Sequence, residues 1–236
     1  MYNGMLGRLE PSDYNHVVSY PLRAIPRADR PKHVPVVIGV NWYTAFDEPA
    51  PMDGALWIGQ GPLGSIRGGH CVCLEPAPDP TQPGKEQDKG AWWRFYDQGA
   101  EGACVGFGSA RMMTLLNRER YDARWLYHEA QKRDGIAGPH EGTYVDAACQ
   151  VLRDVGISQV VKGTSRPATR HDGIAAYRWA THTQDVLDAL GDPSAQWVTI
   201  LNSWGEQYPQ RVRLPVHVLD RLLIGEGGEA MVVTDR

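Results

Sequence analysis

A glutamine six residues ahead of a cysteine, with small residues between them, is the densest chemistry in the chain. The stretch reads Asp97-Gln98-Gly99-Ala100-Glu101-Gly102-Ala103-Cys104-Val105-Gly106-Phe107-Gly108-Ser109. Small residues let the backbone come close to a substrate carbonyl, and the apolar pattern that begins at Cys104 predicts a helix starting there. The free N–H groups and positive dipole end of such a helix act on the sulfur, lowering a thiol pKa and favouring the thiolate. The Gln98 amide is a donor suited to holding an oxyanion. A nucleophile and an oxyanion donor at fixed spacing make half of an acyl-transfer site.

Two further motifs supply the other half. Gly68-Gly69-His70-Cys71-Val72-Cys73-Leu74 puts a histidine at the entrance of a short β-pattern, where Gly69 and its neighbour keep the approach clear. Val198-Thr199-Ile200-Leu201-Asn202-Ser203-Trp204-Gly205 puts an asparagine at the end of another strand pattern. A cysteine can attack, a histidine take and return the proton, and an asparagine oxygen orient the imidazole. Asp-Gln-Gly before the cysteine, Gly-Gly-His before an apolar strand, and Asn-Ser-Trp-Gly together resemble the papain-like cysteine peptidases. The similarity extends through Trp125-Leu126-Tyr127-His128-Glu129-Ala130 and Gly142-Thr143-Tyr144-Val145-Asp146-Ala147-Ala148, is nearest to compact prokaryotic and phage-type members, and covers about two-thirds of the chain.

The resemblance implies a thiol hydrolase that cleaves peptide or amide bonds. Cys104 is then the nucleophile, His70 the general acid and base, Asn202 the orienting group and Gln98 the oxyanion donor. Trp204 packs over the His70–Asn202 pair. No cofactor and no metal is implied. The order along the chain departs from the family, where cysteine precedes histidine and asparagine; here it is His70, Cys104, Asn202. Spatial constellation, not chain order, defines a triad. The family position three before the nucleophile often carries a disulfide cysteine and is Glu101 here.

To bring these residues together the elements must fall in a particular way. The β-branched run 36–42 and the segments 55–58 and 71–74 predict strands. Residues 104–118, 122–133, 144–155 and 184–190 predict helices, 197–201 a strand, 215–224 a helix and 229–234 a strand. The expected fold class is α+β: a papain-like two-lobe fold, helical lobe plus β-barrel-like lobe, with permuted segment order. Residues 1–34 read as an extended arm, 35–75 as the first part of the β-lobe, 76–90 as a Pro-rich linker, 91–194 as the helical lobe and 195–236 as the second part of the β-lobe. His70 and Asn202 can meet only if 36–40 and 71–74 share a sheet with 198–201 and 231–233, despite the helices between.

Bulk properties narrow the function classes. At 236 residues and a net charge near −4, with no basic stripe, nucleic-acid binding is not expected. No apolar run is long enough to span a bilayer and the first residues lack a secretory signal's apolar core, so a cytoplasmic or virion-associated protein with no membrane partner is expected. Cys71 and Cys73 are two apart on a strand and point the same way, while Cys149 falls on the apolar face of a helix; none suggests a disulfide framework. His128, His171 and His182 read as surface or structural histidines. His70 and Cys73 lie on opposite faces of their strand, against a zinc site. The expected partner is a polypeptide or a peptidoglycan-type amide, with a virion or other assembly partner as a further option. Two readings stand beside the peptidase: a peptidoglycan amidase, endopeptidase or acyltransferase on the same machinery, and a non-catalytic virion component whose cleft is blocked.

Overall fold

The computed structural model describes residues 22–78, 96–136 and 138–235. Its centre is an eight-stranded sheet built from β1 (Val36–Tyr43), β2 (Ala50–Met52), β3 (Ala55–Trp57), β4 (Ile66–Glu75), β7 (Ala176–Trp179), β8 (Trp197–Leu201), β9 (Arg211–Pro215) and β10 (Glu229–Asp235). A two-stranded hairpin, β5 (Val160–Val161) with β6 (Thr164–Ser165), stands apart. The strand order of the large sheet is β2-β3-β9-β8-β4-β1-β10-β7. Its pairs are antiparallel except β3 with β9.

The central strands are apolar on both sides, and their alternation sorts side chains between two cores. Val37, Cys71, Cys73, Leu201, Met231 and Val233 face one core, together with α1 (Cys104–Asn117), α2 (Ala123–Gln131) and α3 (Val145–Asp154). Val36, Ile38, Val40, Val72, Leu74, Val198, Ile200 and Val232 face the other, with α4 (Thr183–Leu190) and α5 (Val216–Asp220). The protein is therefore α+β, as the patterns predict. The strands expected to form a barrel-like lobe make one sheet with ends at β2 and β7 and helices on both faces. α4, in the stretch expected to belong to the helical lobe, packs on the face opposite α1–α3.

The predicted sheet partnership is present. β1 lies between β10 (Val36 opposite Val232) and β4 (Val36 opposite Leu74), and β4 pairs onward with β8 (Cys73 opposite Leu201). β4 begins at Ile66, earlier than expected, so Gly68 and Gly69 lie inside the strand. The helix caps follow the sequence: Asp122 accepts the Trp125 N–H at the start of α2, and Gly191 closes α4 in a left-handed conformation. α5 is shorter than the predicted helix and continues as a π-helical turn over Arg221–Gly225.

Leu22 to Val34 is held to the body. Leu22 is fully buried, Val34 N–H donates to the Ala189 carbonyl at 2.9 Å, Arg30 pairs with the buried Asp185, and Arg27 reaches Asp188 at 3.2 Å. The rest of the predicted arm, residues 1–21, and most of the predicted linker, residues 79–90, lie outside the described residues. Among the described residues no helix is long and apolar enough to cross a membrane.

Candidate active site

β4 and β8 bring His70 and Asn202 together. With Cys73 opposite Leu201, the residue that follows β8 comes within reach of the residue three before Cys73, and His70 Nε2 lies 3.0 Å from Asn202 Oδ1. The Ser203 backbone N–H donates to the same Oδ1 at 2.7 Å. A backbone N–H can only donate, so it fixes which end of the Asn202 amide is oxygen. An amide oxygen can only accept, so His70 Nε2 must carry the proton. In the neutral imidazole Nδ1 is then the basic nitrogen.

Aromatic rings close around this pair. Trp42 meets the imidazole edge to face at 4.8 Å and Trp204 lies against it at 4.9 Å, with the two indoles 5.3 Å apart. Tyr208 backs Trp204 at 5.0 Å. Trp204 thus sits where the Asn-Ser-Trp-Gly motif predicts. Trp42 is not singled out by the sequence, because it depends on the register that sets it opposite Gly68 across the sheet. Enclosure leaves His70 only 5% exposed, and desolvation pulls its pKa down to about 4, against an upward pull from Asn202.

Cys104 is the first residue of α1. The backbone N–H groups of Cys71, Val105 and Cys104 itself are directed at its sulfur. The Cys71 N–H follows His70 directly, so sulfur and imidazole are served by adjacent residues of β4. Burial of the sulfur raises the thiol pKa and outweighs the three N–H groups that lower it, although part of the residue stays open to the cleft. The sequence predicts a thiol pKa lowered by the helix N-terminus and by His70; burial reverses that direction. α1 reaches this position by packing tightly on α2: a Cβ on Gly106 would lie 2.5 Å from the Ala123 carbonyl oxygen and 2.6 Å from Tyr127 Cβ.

Gln98 is buried beside the cysteine. Its Nε2 donates one hydrogen to the Glu101 carbonyl at 3.1 Å, which leaves the second for another acceptor. Its backbone N–H donates to the Ser203 carbonyl at 2.9 Å, and Asp97 forms a bridge with Trp204. The loop carrying Gln98 is therefore tied to the segment carrying Asn202. Gly205 belongs to this junction: its φ is +67°, and a Cβ there would come 2.6 Å from Asp97 Oδ2.

Gln98, Cys104, His70, Gly69, Trp42 and Trp204 line one cavity of about 290 Å³, whose other walls include Arg67, Gly102, Gly142 and Thr143. Asn202 stands behind His70, away from the cavity lining. Behind it in turn is Arg111, fully buried on α1, whose Nη2 donates to the Asn202 carbonyl at 3.0 Å. Sequence reasoning misses Arg111, although a charged residue two turns along an apolar helix was a signal. Cys71 and Cys73 do face the same core, and Cys149 is buried with them.

No family model, curated protein or solved structure matches this chain. Burial penalises either charge alone, an imidazolium or a thiolate. Three backbone N–H groups offset part of that penalty at the sulfur, and Asn202 Oδ1 offsets part of it at the imidazole.

Proposed function

We propose that this chain is a cysteine peptidase, or a thiol hydrolase of the same chemistry, of the papain-like kind. The observation that carries the reading is the double use of Asn202 Oδ1: the Ser203 N–H fixes it as oxygen, and His70 Nε2–H donates to it, which leaves Nδ1 as the base in the cavity shared with Cys104. In this reading the substrate carbonyl enters the cavity and the Cys104 sulfur adds to its carbon while the thiol proton passes to His70 Nδ1. Gln98 Nε2–H and the Cys104 N–H receive the oxyanion. Collapse breaks the C–N bond, and the departing amine takes the proton from Nδ1. Water then attacks the thioester, giving its proton to the same nitrogen, and the acid leaves with the thiol restored. The described residues leave room around Cys104, which favours a working cleft over a structural role for the fold.

Mass spectrometry after treatment with an epoxysuccinyl-peptide thiol probe tests this. The expected result is modification of Cys104 alone, abolished in Cys104→Ala and strongly slowed in His70→Ala. Equal labelling of Cys71, Cys73 or Cys149, or a Cys104 rate indifferent to His70→Ala, would count against the reading.

A further inference from the structure

The walls of the cavity beyond His70 bear on which substrates the site takes, an inference that rests on the peptidase reading above. In amide hydrolysis the departing amine receives its proton from the imidazole, so the downstream part of the substrate lies on the His70 side. That side of the cavity is bounded by Trp42, Trp204 and the β4 residues Arg67, Gly68 and Gly69. Arg67 stands three residues before His70, about 10 Å along the strand, a span that a long side chain shortens. Its charge reaches the imidazole. The glycines between them put no side chain in the way.

Arg67 is held in place from one end. Its Nη1 donates to Asp47 Oδ2, and the other oxygen of that carboxylate accepts the Trp42 Nε1–H at 3.1 Å. Both Asp47 oxygens are thus engaged, one by a cation. Arg67 bonds to the described residues through Nη1 alone, and its side chain is 44% exposed. Among the described residues the Nε–Nη2 edge, two parallel N–H donors, has no partner. Two parallel donors on a fixed guanidinium match the two oxygens of a carboxylate. We propose that Arg67 selects substrates whose leaving group carries a carboxylate within about one residue of the scissile bond, with Asp47 and Trp42 fixing the guanidinium. The carboxylate is either the α-carboxylate of a C-terminal residue or the side chain of Asp or Glu, and the two sources are separable.

The test measures protection of Cys104 from iodoacetamide by amines that mimic the leaving group, with modification read by mass spectrometry. Alanine carries an α-carboxylate, glutamic acid α-amide carries a side-chain carboxylate, and alaninamide carries neither. At least one carboxylate-bearing amine is expected to protect at a concentration about tenfold lower than alaninamide. Alanine protecting identifies the terminal carboxylate, and glutamic acid α-amide the side chain. The advantage disappears in Arg67→Gln and is partly kept in Arg67→Lys, which retains charge without the fork. Arg67 is half-exposed, so both variants are expected to fold, and each is compared with its own alaninamide control. Equal protection by all three amines, protection by none, or an advantage that survives Arg67→Gln overturns the proposal. Failure of the peptidase reading looks different: Cys104 then reacts no faster in wild type than in His70→Ala, whatever amine is present.

Discussion

At the scale of single residues the site depends on His70 staying neutral while enclosed by two indoles. The ordinary histidine value is about 6.5, and desolvation holds His70 near 4. Between these values the unfolded chain takes up a proton that the folded chain refuses. Stability therefore falls as pH drops from about 6.5 towards 4, by up to roughly 3 kcal/mol from this group. Above about 6.5 the group contributes no pH dependence. Thermal unfolding followed from pH 7 to pH 4 is expected to show a shallower decline in His70→Gln than in wild type; parallel curves would contradict the burial argument. Activity should follow the same group, with the base lost only as pH falls through about 4, so an acid limb in kcat/KM near 6.5 would show His70 to be solvated. In the proposed mechanism Gln98 acts on the developing oxyanion, so Gln98→Ala is expected to lower kcat by about a hundredfold with KM little changed. A change confined to KM would assign Gln98 to substrate binding instead.

At the scale of elements the question is what keeps α1, β4 and β8 in register, since Cys104 and His70 lie on the first two and Asn202 directly follows the third. Arg111 answers part of it. It comes from the helix that begins with Cys104 and donates to the backbone of Asn202, so one side chain spans from the Cys104 helix to the residue that holds His70. Arg111→Met keeps the apolar stem but removes the donor to a buried carbonyl, at an expected cost of about 1–3 kcal/mol. Its distinguishing effect is on chemistry: kcat falls, KM holds, and Arg111→Lys restores part of the rate. A loss of stability with unchanged kcat would make Arg111 structural only. Gly106→Ala makes a complementary prediction. The added methyl meets the Ala123 carbonyl and Tyr127, so α2 must move away, at about 1–3 kcal/mol seen as a lower Tm.

The same scale shows what was legible in the sequence. Residues 197–201 follow from their apolar run, α1 from its apolar, small-residue run, which is buried on every side from Val105 to Thr114, and α2 and α3 from the spacing of the face each buries. β9 carried a readable signal, Val212 and Leu214 inward between arginines, but Pro215 and its short length hid it as a strand. The β5–β6 hairpin turns on Lys162 and Gly163, both with positive φ, a two-residue turn that Lys-Gly marks only weakly. Within the site, Cys104, His70, Asn202, Gln98 and Trp204 were marked by local motifs. Trp42, Arg67 and Arg111 were not, because their parts come from strand register and helix packing, which only the folded chain fixes.

At the scale of the whole molecule, the order of segments and the sheet fit one another. The sheet places the His70 strand between β1 and β8, whose end leads into Asn202, so the helices of the Cys104 face can be inserted between them in sequence without separating them in space. The opposite face is closed by α4 and α5 and by the segment from Leu22 to Val34. That segment contributes no residue to the cavity around Cys104. It buries Leu22, and it supplies Arg30 to Asp185, whose carboxylate is almost wholly enclosed and also accepts from the Thr181 N–H and hydroxyl. Taking Arg30 away leaves a buried charge without its cation, a loss of about 3 kcal/mol or more by comparison with other broken buried pairs. Residues 22–34 therefore act as part of the body and not as a plug over Cys104. A chain that begins at Pro35 is expected to unfold at lower urea than one that begins at Leu22, and Arg30→Met in the latter to fall between the two. Cys104 of the Pro35 chain should alkylate no faster than that of the Leu22 chain under conditions where both are folded. A truncated chain equally stable and more reactive at Cys104 would reverse this assignment and make the segment an inhibitor.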